Sequence, residues 1–266
     1  DVSGILQRGG TILQTARSKE FREPAGQREA IRQINNAGID ALVVAGGDGS
    51  LNGAQKLVAK GIPVVGVPAS IDNDIYGTDT CIGVDTALNT IVDAIDKIRD
   101  TASSHNRAFL IETMGRQSGY LATQAGIVTG AELVLIPEHK TPVEEVAAAI
   151  EEAYRRGKSH AIIVVAEGYK PQALDLAAHL EAMDIGFSTR VTILGHIQRG
   201  GKPTAFDRLI AQRFGVSAVE FLLAGLTGVM TGLRGNEIVP VPIEEVVTNT
   251  KKLSERFIEM TRILAK

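Results

Sequence analysis

The sequence contains no tryptophan, a single cysteine and few aromatic residues, and these shortages limit what the protein can be. With Cys81 alone, the chain forms neither an internal disulfide nor a thiolate metal cluster, which predicts a cytoplasmic protein. No apolar run approaches the ~20 residues of a membrane-spanning helix, so no membrane partner is expected. The 28 basic and 31 acidic side chains nearly balance, so the broad positive surface of a nucleic-acid-binding protein is not expected either.

Glycine, by contrast, is abundant. The chain has 28 glycines in 266 residues without any repeat, which is typical of a protein with many tight turns that contact phosphate. Hydrophobic residues make up 44% and charged residues 22%, as in an ordinary globular protein. The length suits one large domain or two of ordinary size. The chain begins at Asp1 rather than Met and shows no opening strand, so we expect its natural N-terminus to be missing.

Short apolar segments alternate with amphipathic ones along almost the whole chain. Continuous apolar runs of this length predict strands of a parallel sheet that is covered on both faces. The alternation predicts a doubly wound α/β fold with right-handed crossovers. The six predicted strands are Ala41–Ala45, Pro63–Val67, Ala108–Ile111, Glu132–Ile136, Ala161–Ala166 and Val191–Leu194.

Two helices are especially well marked. Residues 83–102 carry apolar side chains at three- and four-residue spacing, which makes one apolar stripe. Residues 141–157 are predicted to begin with Thr141 as the N-cap and Pro142 as the first helical residue, with Glu144 completing a capping box. The second helix is predicted to end at Gly157.

Two polar loops follow predicted strands. In the first, Gly46–Ser50 (GGDGS), backbone amides at the start of a helix could hold phosphate oxygens and Asp48 could hold magnesium. A tight capped turn is the alternative reading. In the second, Pro68–Asp74 (PASIDND), one aspartate could act as the base for a sugar hydroxyl and another could bind a metal. An Asx-turn is the alternative there.

Cationic and acidic side chains beside glycine follow three further strands. Arg116 follows one strand in MGR, and His196 and Arg199 follow another in GHIQRGG. Arginine binds phosphate oxygens in a bidentate manner, so these residues suit a phosphorylated substrate, although a lone surface arginine or histidine is usually only solvated. Glu167 also ends a strand, and it could bind sugar hydroxyls or act as a helix-dipole partner.

Taken together, these motifs resemble those of the bacterial-type ATP-dependent 6-phosphofructokinase family. The resemblance covers essentially the whole chain, and its specificity lies in the joint order of the motifs rather than in any one of them. In chain order the motifs are GGDGS, PASIDND, GTDTCIGVDTAL, RDTASSHNR, MGRQSG, VVAEG and LGHIQRGG.

The resemblance implies transfer of a phosphoryl group from ATP to the 1-hydroxyl of fructose 6-phosphate, with magnesium. Asp72 would be the catalytic base, Arg116 would lie near the transferred group, and Asp48 and Asp74 would handle the metal. The implied nucleotide-binding residues are Arg17, Gly47, Asp48, Gly49, Ser50 and Gly53. The implied sugar-phosphate residues are Ser70, Met114, Gly115, Arg116, Glu167, His196 and Arg199.

The resemblance also implies an assembly and its regulation. Arg107 and Arg190 match arginines that a neighbouring subunit supplies to the sugar phosphate, which implies a homotetramer with shared active sites. An effector site for ADP or phosphoenolpyruvate is implied at Arg99, Glu132, Arg156 and Lys158. The larger, nucleotide-binding domain would comprise residues 1–83 and 198–248, and the smaller, sugar-phosphate domain residues 84–197 and 249–266.

The sequence departs from the family pattern at three places. The family has a strand and a glycine-rich phosphate loop roughly fifty residues upstream, which this sequence does not contain, so a strand of the larger domain is expected to be missing and allostery is in doubt. Ala69 and Ser70 replace the usual Gly and Thr. Ser18 stands where an aromatic residue is common, which would loosen adenine packing.

Three alternative functions remain. The first is a pyrophosphate-dependent enzyme of the same family, in which an aspartate would stand at Gly49 and a lysine at Ala69. The second is an NAD or lipid kinase, which shares a GGDG turn but lacks the MGR and GHIQRGG clusters. The third is a non-catalytic regulatory or binding subunit, favoured by the missing phosphate loop and opposed by the intact catalytic residues.

Overall fold

The computed structural model describes residues 3–102, 107–183, 186 and 188–264, and they divide into two compact units. Residues 103–106, part of the RDTASSHNR motif, lie outside the described ranges. The first unit comprises residues 1–70, 74–83 and 202–251, and the second residues 71–73, 84–201 and 252–266. Each unit is an α/β layer structure with its own four-stranded sheet, which confirms the predicted fold class.

The first unit holds a sheet in the order β1-β2-β7-β8. Strands β1, β2 and β7 are parallel, and β8 pairs antiparallel with β7. Its core packs Val65, Val67 and Leu233 of the sheet against Ile210 and Phe214 of helix α7. The elements of this unit are α1 (Pro24–Asn36), β1 (Leu42–Gly46), α2 (Asp48–Val58), β2 (Val64–Pro68), α7 (Ala205–Leu223), β7 (Val229–Arg234), β8 (Glu237–Pro242) and α8 (Ile243–Thr248).

The second unit holds an entirely parallel sheet in the order β4-β5-β3-β6. Its core is built from the apolar runs of the strands, such as Leu110 and Ile163, packed against Val146 and Ile150 of α5. The elements of this unit are α3 (Val84–Ala102), β3 (Arg107–Thr113), α4 (Tyr120–Thr129), β4 (Leu133–Leu135), α5 (Val143–Arg155), β5 (His160–Ala166), α6 (Ala173–Ala182), β6 (Ser188–Ile193) and α9 (Glu255–Leu264).

The β7–β8 hairpin was not predicted from the sequence. Gly232 interrupts the apolar pattern of β7, and Pro240 lies within β8, where a proline argues against a strand. The structure tolerates Pro240 because β8 is an edge strand of its sheet. Gly232 is required because a Cβ there would lie 2.4 Å from the carbonyl oxygen of Gly77.

The predicted start of α5 was wrong by one residue. Pro142 is the N-cap, Val143 is the first helical residue, and the cap makes no side-chain hydrogen bond. Thr141 is instead buried, and its carbonyl oxygen accepts a hydrogen bond from the Tyr169 hydroxyl. Thr141 therefore anchors the loop before the helix rather than capping it. The predicted C-terminal end is confirmed, because Gly157 follows the Arg156 C-cap with φ = 75°.

We predict that Gly126→Ala destabilises the protein by about 1–3 kcal/mol, because the added Cβ would overpack the contact between α4 and β4. That Cβ would lie 2.1 Å from Cγ2 of Val134, a side chain whose branched Cβ limits its rotamers. In a Val134→Ala background the clash is gone, and the same change should become neutral or stabilising because alanine favours a helix. Denaturant unfolding of the four proteins of this cycle measures the coupling, and strictly additive effects would contradict the predicted contact.

Candidate functional site

In the second unit, three loops of predicted site residues follow neighbouring parallel strands. Met114–Arg116 follows β3, Glu167 follows β5, and the 3₁₀ turn Gly195–Arg199 follows β6. The registers pair Thr113 with Ala166 and Glu112 with Ile193, so these three strands end at the same edge of the sheet. The carboxyl edge of a parallel sheet is where such folds bind ligands, so the candidate site lies here.

At this edge Asp72 and Arg116 form an ion pair. The Arg116 Nε atom lies 3.2 Å from Oδ2 of Asp72, and the aspartate side chain is buried while the arginine is largely exposed. The backbone is left-handed at Asn73, the residue after Asp72, and at Arg116 itself, with φ = 51° at each. A left-handed conformation raises the conformational free energy of a residue other than glycine. The surrounding contacts must therefore hold these two turns in place.

Glu167 supplies part of that support. Its Oε1 atom accepts hydrogen bonds from the backbone amides of Gly115 (3.3 Å) and Arg116 (2.6 Å). Gly115 has φ = 142°, and a Cβ there would lie 2.4 Å from the carbonyl oxygen of Ser118, so only glycine fits this turn. From the sequence, Glu167 could bind sugar hydroxyls or act as a helix-dipole partner. In the structure its carboxylate binds the loop that carries Arg116.

Two residues at this edge were not identified as site residues from the sequence. Gln198 is 1% exposed, and its side-chain amide connects the loop after β3 to the turn after β6. Glu112, the penultimate residue of β3, has a pKa raised above its usual range, mainly by burial and further by the nearby charge of Glu167. A buried polar side chain inside a motif is the signal that identifies Gln198, and burial is visible only in the fold.

His196 and Arg199 lie exposed on the turn after β6, on the same edge as Arg116. Arg107 and Arg190 do not join them. Arg107 begins β3, and at about 3.3 Å per residue it lies about 20 Å from the carboxyl end of that strand. Arg190 lies within β6, in register with Phe109, and is exposed. Within one chain, these two arginines are therefore set back from the other site residues.

A separate charged cluster lies around the start of β5. Glu132 is buried, and its carboxylate accepts hydrogen bonds from Lys158 Nζ (2.9 Å) and from the backbone amide of Ile162 (2.6 Å). Arg99 donates to the carbonyl oxygen of Thr129. Of the four predicted effector residues, Arg156 instead pairs with Glu152 on its own helix, with Nε and Oε1 2.9 Å apart.

The first unit carries the other group of predicted residues. Helix α2 begins at Asp48, directly after β1, and its N-cap is Gly47. The Asp48 carboxylate accepts a hydrogen bond from the Asn52 side chain (2.9 Å). A Cβ at Gly49 would meet nothing within 4 Å, so the space in front of this helix terminus is open. Backbone amides and the positive helix end suit an anion there.

The remaining predicted residues of this unit surround that helix start. Gly47 lies close to the end of β2, since a Cβ on it would approach the Ser70 side chain to 3.5 Å. Gly53 faces Phe21, and Arg17 is exposed in the segment before α1. The Oδ1 atom of Asp74 is buried and has no hydrogen-bond partner. An unsatisfied buried carboxylate oxygen is costly unless a cation or water binds it.

Within the described ranges, no three acidic, histidine or cysteine side chains gather as a metal centre. Of the helices in those ranges, none combines the length and the apolar content that crossing a bilayer demands.

We predict that Glu112→Gln stabilises the protein at neutral pH. Because the folded-state pKa is raised above 4.5, the unfolded state releases this proton first, and stability falls as pH rises from about 4.5 through the folded-state pKa. Glutamine removes the partly buried charge and keeps an acceptor for the Ala173 amide. The gain in melting temperature should therefore shrink on acidification below pH ~4.5.

Glu237→Gln, an exposed change on β8, is the matched control, and its effect should be near zero at both pH values. A Glu112→Gln variant that is less stable than the wild type at pH 7 would contradict the assignment of Glu112 as a destabilising, partly buried charge.

Comparison with known proteins identifies relatives along the whole chain. The family profile described as phosphofructokinase matches residues 1–222. The ATP-dependent 6-phosphofructokinase of Thermotoga neapolitana is 53% identical over 266 residues, which cover 100% of this chain and 83% of that protein. The enzyme of the same name from Brevibacillus brevis is 49% identical, over 99% of this chain and 82% of that protein.

Solved structures show the same relationship. The phosphofructokinase of Saccharomyces cerevisiae matches with a TM-score of 0.86 at 40% identity, and the match covers 100% of this chain and 40% of that one. Phosphofructokinase of Pichia pastoris in the T-state gives 0.88 at 37% identity, over 100% of this chain and 33% of that one. A pyrophosphate-dependent phosphofructokinase from Marinobacter aquaeolei shares the fold at 22% identity and a TM-score of 0.79, over 93% of this chain and 68% of that one.

Proposed function

The chain belongs to the phosphofructokinase family, and we propose that it transfers the γ-phosphoryl group of ATP to the 1-hydroxyl of fructose 6-phosphate. The products are fructose 1,6-bisphosphate and ADP. The observation that carries this proposal is the buried Asp72 carboxylate paired with Arg116 at the carboxyl edge of a parallel sheet. Similarity along essentially this whole chain to relatives named as ATP-dependent enzymes supports ATP as the donor.

Asp72 acts as the base in this proposal. It accepts the proton of the sugar 1-hydroxyl while that oxygen attacks the γ-phosphorus and ADP leaves. Burial keeps water from competing for the carboxylate, and Arg116 holds it in one orientation at 3.2 Å. As the phosphoryl group arrives, the exposed guanidinium of Arg116 neutralises the charge on its equatorial oxygens. Phosphoryl transfer requires mainly such positioning and charge compensation.

The remaining loops of the second unit hold the sugar phosphate. We assign the 6-phosphate to His196 and Arg199, because a guanidinium binds a phosphate in a bidentate manner. Met114, Gly115 and Glu167 contact the sugar, with the free Oε2 atom of Glu167 available to hydroxyls. The second unit is thus the sugar-phosphate-binding domain of the proposal.

The first unit is its nucleotide-binding domain. The start of α2, with Gly47, Gly49 and Ser50, binds the ATP phosphates, and Arg17 adds a cation. Gly53, in the same helix, lies next to Phe21. Asp48 and Asp74 would hold the magnesium ion that the family uses, and the orphaned buried Oδ1 atom of Asp74 fits that role. When bound, magnesium supplies positive charge to the phosphate oxygens.

Pyrophosphate as the donor is the weaker alternative. In the pyrophosphate enzymes, by resemblance, an aspartate at position 49 fills space next to the phosphates, whereas Gly49 leaves that space open in this chain. A lysine would also stand at Ala69. The relatives named for ATP share about half of the sequence, while the pyrophosphate-dependent enzyme shares 22%.

We further propose a homotetramer in which Arg107 and Arg190 serve the active site of a neighbouring subunit. Their set-back positions in their own chain support this, because neither reaches the edge that carries Arg116. We also propose that Arg99, Glu132, Arg156 and Lys158 form an effector site for ADP or phosphoenolpyruvate. The Lys158 ammonium, paired with Glu132, and the Arg99 guanidinium, which donates to the Thr129 carbonyl oxygen, supply positive charges for such a phosphorylated ligand.

A coupled assay with fructose 6-phosphate and either ATP or pyrophosphate tests the function. We expect product only with ATP and only with magnesium present. Product with pyrophosphate alone would replace the proposed donor, and no product with either donor would favour a non-catalytic role.

We predict that Asp72→Ser lowers kcat by about 100-fold or more while the KM for fructose 6-phosphate changes little, because the base is lost and the phosphate contacts remain. Asp175→Ser, an exposed change on α6 of the same unit, is the control and should retain full turnover. A normal kcat in Asp72→Ser would remove the base assignment.

We predict that Arg190→Ala weakens fructose 6-phosphate binding by about 1.5–3 kcal/mol, the value of a charge-assisted hydrogen bond, and leaves the KM for ATP unchanged. Mixed oligomers of Arg190→Ala and Asp72→Ser subunits should regain activity, because one shared site then has both intact residues. Verified mixed oligomers that stay inactive would count against an arginine supplied by a neighbour.

A further inference from the structure

Gln198 occupies an unusual place in the turn after β6. Its side chain is 1% exposed, whereas the neighbouring Ile197 is 57% exposed. Burial of a polar amide next to an exposed apolar residue reverses the ordinary preference, since burying an amide is costly unless its hydrogen bonds are made. The amide of Gln198 must therefore be held by specific partners.

Those partners are the two loops that flank the proposed substrate. The Oε1 atom accepts a hydrogen bond from the Met114 backbone amide (3.1 Å), and the Nε2 atom donates one to the carbonyl oxygen of Gly195 (3.0 Å). A side-chain amide carries both an acceptor and donors, so one glutamine can serve an N–H and a C=O at once. Gln198 thereby joins the loop after β3 to the turn that carries His196 and Arg199.

Three consecutive backbone amides in the loop after β3 are satisfied in this way. Met114 donates to Gln198, and Gly115 and Arg116 donate to Glu167. The chain then turns through φ = 142° at Gly115 and φ = 51° at Arg116. Strained turns persist only when the surroundings determine them, and these two side chains are the determinants that the structure shows.

We propose that Gln198 is a positioning residue that fixes the distance between the Asp72–Arg116 pair and the turn assigned to the 6-phosphate. The inference rests on the proposed function for its substrate. A fructose 6-phosphate molecule presents its 1-hydroxyl and its 6-phosphate at opposite ends, so both loops must be placed correctly at once. Displacement of either loop by about 1 Å costs up to about 100-fold in rate.

The test compares Gln198→Met and Gln198→Glu with the wild type. Methionine has a similar volume and loses both hydrogen bonds, whereas glutamate keeps the acceptor for Met114 and loses the donor to Gly195. Tyr169→Phe is the matched control, because it removes one buried hydrogen bond, to Thr141, from the same unit without touching either loop.

We expect Gln198→Met to raise the KM for fructose 6-phosphate at least about tenfold and to lower kcat, with the KM for ATP within twofold of the wild type. Gln198→Glu should raise the same KM with a smaller loss of kcat, since the loop with Arg116 stays anchored. Tyr169→Phe should lower the melting temperature and leave all three kinetic constants unchanged. Variants of Gln198 that alter only the melting temperature, or that raise both KM values equally, would overturn the proposal.

Residue-resolved hydrogen exchange on the wild-type protein tests the contact between Met114 and Gln198 without relying on turnover or on variants. The Met114 amide should exchange at least about 100-fold more slowly than an unprotected amide, and exchange at the unprotected rate would overturn the contact with Gln198. A wild type that binds and converts no fructose 6-phosphate would overturn the proposed function instead, so the two failures are distinguishable.

Discussion

The parallel register of β3 with β5 and β6 is the constraint on which the candidate site depends. Because Thr113 pairs with Ala166 and Glu112 with Ile193, the three strands deliver their following loops to one edge without any long connection. The chemistry then requires little more than side chains at fixed offsets from the strand ends. A slip of one residue in the pairing of β3 with β5 would turn every side chain of that strand to the other face and separate Arg116 from Glu167.

Much of the fold could be predicted because strong local patterns agreed with the tertiary structure. The six predicted strands all exist, since buried parallel strands are nearly continuous apolar runs. The β7–β8 hairpin could not be predicted, because its stability comes from pairing with β2 and from the tolerance of an edge strand for Pro240. The local sequence predicted Thr141 as a helix cap. Its position depends instead on a hydrogen bond from the distant Tyr169 hydroxyl to its carbonyl oxygen.

The candidate site could likewise be predicted only in part from the sequence. Residue types and order pointed to Asp72, Arg116, His196 and Arg199, and the structure brings Asp72 and Arg116 together. The hydrogen bonds that hold their loops could not be predicted from the sequence, because Gln198 and Glu167 accept from backbone amides 84 and 51 residues away. Backbone groups carry no sequence signature. Which side chain satisfies them is therefore decided by the sheet register alone.

The division of the chain between the two units also sets the order in which the protein can fold during synthesis. Residues 84–201 emerge as one uninterrupted stretch and contain every strand of the second sheet, so that sheet can close early. Strand β2, buried on both faces, must wait for β7, which leaves the ribosome only after well over half of the chain has followed β2. A folded second unit shortens the effective loop between them. Until β7 arrives, β2 pairs only with β1 and its other edge stays open, the kind of apolar edge that chaperones bind.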